Sequence, residues 1–300
     1  ARVSRAVDPP SPRHYVAAMS DTPQLSDLAA DYDALLCDVW GVIRDGRSIV
    51  PEALNALAGF RAQGGTVVLL SNSPRRAASL KTFMGEMGAR PDAFDDAVTS
   101  GDATHAVLSA RAPGPAYKLG PDWDDPLYEG TGLEFTELKD AAFISCTGLV
   151  DYETETPDQY TDLLREAQLR RLPLVCANPD IVVQVGDRLL YCAGALAQMY
   201  EQMGGEVILA GKPHPPIYDL AYGVIDAIRG GPVEKSRVLA IGDGPGTDIA
   251  GAQREGLDAL FIAGGILADR FEAGFSADKA RDILAEDQLS ARYCAPKLIW

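Results

Sequence analysis

Four short apolar runs of this chain each end in groups able to do chemistry. "LLCDVWGVI" sets a lone carboxylate, Asp38, inside an apolar stretch, and "TVVLL" is followed by Ser71-Asn72. "EVILA" runs into Gly211-Lys212-Pro213, and "RVLAI" into Gly242-Asp243-Gly244-Pro245-Gly246-Thr247-Asp248. Asp38 is followed by a β-branched residue, an aromatic and a glycine rather than by helix formers, so it does more than start a helix. Each of the others has an ordinary alternative. Ser71 and Asp243 suit helix N-caps, Lys212 suits a surface turn, and Asp248 suits the first turn of a following helix. Taken together, one nucleophilic carboxylate, one hydroxyl, one ammonium and two further carboxylates make a complete set for phosphoryl transfer.

Such a set needs a frame that gathers the run ends. From Tyr32 onward, short apolar runs alternate with longer amphipathic ones, the pattern of repeated βα units around a parallel sheet. The expected fold is therefore α/β with a Rossmann-like parallel sheet, whose ligands bind at the carboxyl ends of the strands. Strands are expected at 34–37, 66–70, 206–210, 237–241 and 259–262. Between the second and third of these lies about a hundred residues with an alternation of its own: "AYKLGP", "AAFISC", a helix near 157–171, "LPLVCA", "IVVQVG" and "LLYCAG". That insert is large enough to be a domain. The expected division is a disordered extension over 1–30, with its Pro-Pro-Ser-Pro segment, a core formed by 31–99 and 206–300, and an inserted domain over 100–205.

Composition narrows the function. Three hundred residues, 47% of them hydrophobic, suffice for two domains with sizeable cores. A formal net charge of -16 argues against a nucleic acid or an anionic membrane as partner, since both require a basic footprint. The five cysteines form no CxxC pair and sit mostly in apolar runs, which points to reduced core residues and a cytoplasmic setting. No apolar stretch approaches the roughly 18 residues that span a bilayer. Two competing phosphate motifs fail: a P-loop would need glycine where Glu206 stands and Ser or Thr where Pro213 stands, and a dinucleotide fingerprint in "GDGPGT" ends on Thr247.

The order Asp38, Ser71, Lys212, Asp243 with Asp248 resembles the four motifs of the haloacid dehalogenase superfamily of aspartate-nucleophile phosphatases. The insert between the second and third motifs looks like the C2-type cap of its class IIA branch, the NagD-like sugar and nucleotide phosphatases. "CANPDIVV" (176–183) and "GKPHPPIYDLA" (211–221) are similar to that branch as well. The resemblance implies that Asp38 attacks phosphorus and forms an aspartyl-phosphate. Lys212 would offset charge on the phosphoryl oxygens and keep Asp38 ionised, while Ser71, with Asn72 or backbone amides, would hold the transferring group. It implies a Mg²⁺ ion on Asp38, the Trp40 backbone carbonyl, Asp243 and Asp248, and a cap loop around Asn178 and Asp180 that contacts a small phosphorylated metabolite. A cap-mediated homodimer is an assembly of similar proteins that nothing in this sequence demonstrates.

One position departs from the pattern. The superfamily's phosphatases usually place a second aspartate two residues after the nucleophile as general acid and base, and here that residue is Trp40. Such catalysis is typically worth about 10²–10⁴ in rate, or roughly 3–5 kcal/mol. Three readings follow. The first is a Mg²⁺-dependent phosphatase that borrows an acid such as Asp45 or Asp180. The second is a catalytically silent protein that binds a phosphometabolite, which the retained Asp38 argues against. The third is a phosphotransferase or acyl-phosphate hydrolase whose leaving group needs no proton.

Overall fold

A computed structural model describes residues 22–45, 48–185 and 188–300. In chain order its strands are β1 (Ala34–Cys37), β2 (Thr66–Ser71), β3 (Asp96–Thr99), β4 (Ala116–Leu119), β5 (Phe143–Cys146) and β6 (Leu174–Cys176). They continue as β7 (Val182–Val185), β8 (Arg188–Tyr191), β9 (Val207–Leu209), β10 (Val238–Gly242), β11 (Asp258–Ile262) and β12 (Tyr293–Ala295). Six of them form one sheet in the order β12-β11-β10-β1-β2-β3, every pairing parallel. This is the doubly wound arrangement, in which the strand order reverses between β1 and β10 and opens a crevice there.

The strands are apolar on both faces because helices cover both. Leu35, Cys37, Val67, Leu69, Leu239 and Ile241 pack with Leu54, Leu57 and Phe60 of the helix Pro51–Ala62. The alternate residues Leu36, Val68, Leu70, Val238 and Ala240 pack with Ile217, Tyr218, Ala221 and Ile225 of the helix Pro215–Arg229. At roughly 1.5–3 kcal/mol for each fully buried large aliphatic side chain, these two layers fix the register of the sheet. Cys37 lies opposite both Ile241 and Leu69, so the carboxyl ends of β1, β2 and β10 are level.

The inserted region builds a second parallel sheet, β4-β5-β6-β9, with the antiparallel hairpin β7–β8 beside it. Its two faces are also apolar, one carrying Ile144, Leu164, Leu174, Leu196 and Tyr200, the other Leu108, Leu127, Phe143 and Val175.

Two expected boundaries move. The run 206–210, expected as a core strand, is the edge of the inserted sheet, where Val207 pairs with Leu174 and Leu209 with Cys176. An apolar run declares a strand but not its partner, and this one found an open edge at β6. The core also begins before residue 31. Leu25 and Leu28 of the short helix Leu25–Leu28 are buried, and the Leu25 N–H donates to the Ile299 carbonyl at 2.8 Å. Residues 1–21 of the expected extension lie outside the described residues. No described helix is long and apolar enough to cross a membrane.

Candidate active site

Asp38 is the first residue after β1, at the point where the strand order reverses. Its N–H donates to the Ile241 carbonyl at 2.8 Å, which continues the ladder one step beyond the strand and aims its side chain into the crevice. Lys212 arrives from the other sheet, three residues after β9. Its Nζ lies 2.6 Å from Asp38 Oδ1 and 2.6 Å from Asp248 Oδ1, with all three side chains almost wholly buried. Asp248 is turned back by the π-helical turn Pro245–Ile249, and its Oδ2 accepts the Gly244 N–H at 3.0 Å. Asp243 follows β10 directly, and its Oδ2 accepts the Ile266 N–H at 2.6 Å.

Packing at this point leaves no space for side chains. A Cβ on Gly41, whose φ is +85°, would lie 1.9 Å from Asp243 Oδ2, and one on Gly265 would lie 2.0 Å from the same atom. Glycine at both positions lets two loops close around a single carboxylate.

Asn72 is the hub between the two sheets. Its Oδ1 accepts the Lys212 N–H at 2.7 Å, and its Nδ2 donates to the Lys212 carbonyl at 3.1 Å and to Asp180 Oδ1 at 2.8 Å. Asp180 stands in the loop between β6 and β7. Gly194 permits that loop its position, because a Cβ there would lie 2.2 Å from the Pro179 carbonyl oxygen. Ser71 is fully buried and its Oγ accepts the Ser73 N–H at 3.2 Å, which leaves the hydroxyl proton to donate.

A cleft of about 270 Å³ joins these groups, lined by Asp38, Trp40, Ser71, Asn72, Asp180, Lys212, Asp243 and Asp248 among others. Asn178 is the one sequence-selected residue that does not line it. Its Oδ1 accepts the Asp180 N–H at 3.1 Å, so it shapes the turn that presents Asp180. Asp45 stands exposed at the rim, where its carboxylate accepts from the Ser48 N–H and hydroxyl. Reading strand ends missed three contributors: the loop carrying Gly265 and Ile266, the exposed Lys297, and Arg44, whose guanidinium lies 3.9 Å from the centre of the Trp40 ring. The glycine pair that follows β11 was a signal for the first; none marked Arg44.

The electrostatics are short of positive charge. Burial pushes the Asp38 carboxyl well up; Lys212 opposes this, while Asp248 and Asp243 add to it. Burial and Asp248 likewise push Asp243 up to about 7. Asp180 is raised by burial, against the pull of Lys212 and the Asn72 amide. Burial works against the charge on Lys212, yet Asp248 and Asp38 hold it well above the usual lysine value. Lys212 therefore pulls the Asp38 carboxyl towards its ionised form, against burial and the neighbouring carboxylates Asp248 and Asp243. Asp38, Asp243 and Asp248 place ligand oxygens within 4.8 Å of one another. An all-oxygen, strongly acidic donor set of this size fits a hard divalent cation such as Mg²⁺, which would supply the missing charge.

Comparison with known proteins agrees with this geometry. The family model described as haloacid dehalogenase-like hydrolase matches residues 35–134, and a second, HAD-hydrolase-like, matches 209–287, the two segments that hold the strand-end carboxylates and Lys212. A curated D-glycerol 3-phosphate phosphatase of Mycobacterium tuberculosis is 24% identical over 255 residues, which are 81% of this chain and 66% of that enzyme. The crystal structure of a glycerol phosphate phosphatase from the same organism in complex with magnesium superposes with a TM-score of 0.60 at 25% identity, covering 80% of this chain and 70% of that one. The crystal structure of a haloacid dehalogenase-like hydrolase from Brucella suis 1330 is 41% identical, with a TM-score of 0.83 over 92% of this chain and 99% of the other. With fold, motif order and near full-length similarity in accord, this chain belongs to the haloacid dehalogenase-like hydrolase family.

Proposed function

We propose that this protein is a Mg²⁺-dependent phosphatase that hydrolyses a small phosphorylated metabolite through an aspartyl-phosphate on Asp38. The observation that carries the reading is a buried carboxylate at the strand-order reversal, 2.6 Å from Lys212 and within a ligand's span of Asp243 and Asp248. An Asp38 oxygen attacks phosphorus, the bond to the ester oxygen breaks with its electron pair going to that oxygen, and the departing oxygen takes its proton from a borrowed acid such as Asp45 or Asp180. Water then cleaves the acyl-phosphate, releasing inorganic phosphate and restoring Asp38. Lys212 faces the charge that builds on the phosphoryl oxygens, and the Ser71 hydroxyl donates to one of them. Asn72 holds Lys212 by its backbone and Asp180 by its carboxylate, so it couples the inserted region to the phosphate pocket. A bound Mg²⁺ would be held by Asp38, Asp243, Asp248 and the Trp40 carbonyl, and would neutralise and orient the phosphoryl group.

Trp40 favours a second reading alongside this one. Its indole is stacked with Arg44 and offers no carboxyl at the position of the usual acid, which suits leaving groups that depart unprotonated, as acyl phosphates do. The test is phosphate release from p-nitrophenyl phosphate with and without Mg²⁺, in the unmodified protein and in Asp38→Asn. The expected result is metal-dependent turnover that falls by at least about 10³ in the variant, the scale of losing a covalent nucleophile. Turnover that survives in Asp38→Asn would overturn the aspartyl-phosphate route.

A further inference from the structure

Asp102 lies outside the cleft lining, in the first turn of the helix Ser100–Ser109 that follows β3. Part of its environment is an ordinary capping box: the Thr99 hydroxyl oxygen accepts the Asp102 N–H at 3.1 Å, and Asp102 Oδ2 accepts the Thr99 N–H at 3.1 Å. A capping box needs nothing beyond its own helix. This carboxylate also accepts two donors from a segment 25 and 26 residues earlier, the Ala77 N–H on Oδ2 at 3.0 Å and Arg76 Nε on Oδ1 at 2.7 Å. Ala77 opens the helix Ala77–Glu86, whose own N-cap residue, Arg76, makes no side-chain cap. One carboxylate thus serves the first turns of two helices. The loop it closes off runs from Ser71, the last residue of β2, to Arg76, and carries the cleft groups Ser71 and Asn72. The neighbour of Asp102 holds the middle of that loop: the Gly101 N–H donates to the Ser73 carbonyl at 3.1 Å, and a Cβ on Gly101 would lie 2.1 Å from the Pro74 carbonyl oxygen. Ser73 in turn donates its N–H to Ser71 Oγ at 3.2 Å.

We propose that Asp102 is a positioning residue for phosphate capture: it sets the loop from Ser71 to Arg76 so that Ser73 aims the Ser71 hydroxyl at the phosphoryl group. The proposal rests on the phosphatase reading, which puts the phosphoryl group at Ser71. An unrestrained serine side chain turns among staggered rotamers. Here the Ser73 N–H occupies a lone pair of Ser71 Oγ, which directs the hydroxyl proton away from it, and the aim of that N–H depends on the path of residues 72–76. The two ends of the loop are fixed by different means. Ser71 is held in the sheet opposite Thr99 of β3, whereas Arg76 and Ala77 are held by the Asp102 carboxylate. The Thr99 hydroxyl also donates to Asp102 Oδ2 at 2.8 Å, so both ends are referred to one point at the end of β3. Removing the carboxylate releases the second end alone. The candidate metal ligands Asp38, Asp243 and Asp248 stand on other segments, after β1 and β10, so the effect falls on the phosphate side of the site.

The test is titration calorimetry of the full chain with inorganic phosphate at saturating Mg²⁺. Ser71→Ala should weaken phosphate binding about tenfold, the scale of one hydrogen bond to a charged group. Asp102→Ala should lose a comparable factor. Adding it to Ser71→Ala should lose less than about a further threefold, because the hydroxyl it aims is gone. Asp102→Asn keeps one acceptor oxygen but turns a donor towards Arg76, and should lose about threefold. A carboxylate that only capped helices would lower the melting temperature and leave the phosphate affinity of the folded protein unchanged. A loss below about threefold in Asp102→Ala, an undiminished further loss in the Ser71→Ala background, or no phosphate binding by the unmodified protein overturns the proposal. If Asp102→Ala does not fold, as a thermal melt would show, an unchanged phosphate affinity in Asp102→Asn overturns it. Phosphate release from p-nitrophenyl phosphate by the unmodified protein separates the two claims. Turnover with a phosphate affinity indifferent to Asp102 refutes this inference alone, and an affinity that depends on Asp102 without turnover refutes the phosphatase reading alone.

Discussion

Replacing Lys212 by methionine removes the ammonium from two carboxylates while keeping most of the side-chain volume. Lys212 lies 2.6 Å from both Asp38 and Asp248, and its side chain is 3% exposed. Deleting one partner of a buried ion pair costs about 3–5 kcal/mol, because the remaining charges lose compensation without regaining water. At roughly 2 °C per kcal/mol for a chain of this length, the melting temperature should fall by about 6–10 °C at pH 8 without metal. The loss should shrink at pH 5.5. Asp38 is already raised by burial, so without Lys212 it takes up a proton more readily, and a raised carboxyl contributes stability that is present at low pH and lost as pH rises through its folded value. Activity should fall more steeply than stability. Removing a preorganised donor to the transition state costs about 10²–10³ in kcat, and here the uncompensated Asp38 is the nucleophile too. The assays are differential scanning fluorimetry at the two pH values and phosphate release with Mg²⁺. A melting temperature unchanged at pH 8, together with kcat/KM within about tenfold of the unmodified protein, would refute the assignment of Lys212 to this pair.

Asp243, raised to about 7 by burial and Asp248, makes the metal-free protein lose stability as pH climbs from about 4 towards 7, so the thermal stabilisation by Mg²⁺ should be larger at pH 8 than at pH 5.5. A Mg²⁺ effect equal at both would show that Asp243 is not in the metal site. Trp40→Asp should raise turnover of alkyl phosphates relative to p-nitrophenyl phosphate by about tenfold or more, since only the poor leaving group needs the restored acid. It should also lower the melting temperature, because Arg44 loses the ring on which it stacks; an unchanged substrate ratio in a folded variant would mean that another residue already serves as the acid. Gly41→Ala places a methyl group 1.9 Å from Asp243 Oδ2 at a φ of +85°. About 1–2 kcal/mol of backbone strain should appear as a small drop in melting temperature, accompanied by a larger rise in the Mg²⁺ concentration needed for activity; unchanged Mg²⁺ dependence would count against Asp243 as a ligand.

The sequence by itself determined the sheet class and the polar groups at the strand ends that face the cleft, because both depend on local chemistry. A buried parallel strand must be apolar throughout, so the residue at which polarity returns marks its carboxyl end. Asp38, Ser71 and Asp243 were legible for that reason, with Asn72 and Asp248 close behind in the loops those ends open. Lys212 was legible too, although the strand before it belongs elsewhere: β9 pairs with β6 of the inserted sheet, and Lys212 enters the crevice from that side. Hydrophobic periodicity says that a segment is buried in a sheet and is silent about which edge accepts it, so only tertiary pairing decided this. The same holds for Leu25 and Leu28, which are buried in a segment tied by the Leu25 N–H to the Ile299 carbonyl, more than 250 residues away. Asn178 and Asp180 looked equivalent in "CANPD", yet only the fold could turn one into the turn's acceptor and send the other to Asn72. Arg44 was the least visible. Nothing in "GVIRD" reveals that its guanidinium is set over the Trp40 ring, because that contact requires the chain after β1 to turn back on itself, as the Gly41 to Arg44 hydrogen bond makes it do. Residue type and spacing thus report what a segment buries and what it offers at its end, while the distances that turn those offers into a site arise only when separate segments are packed together.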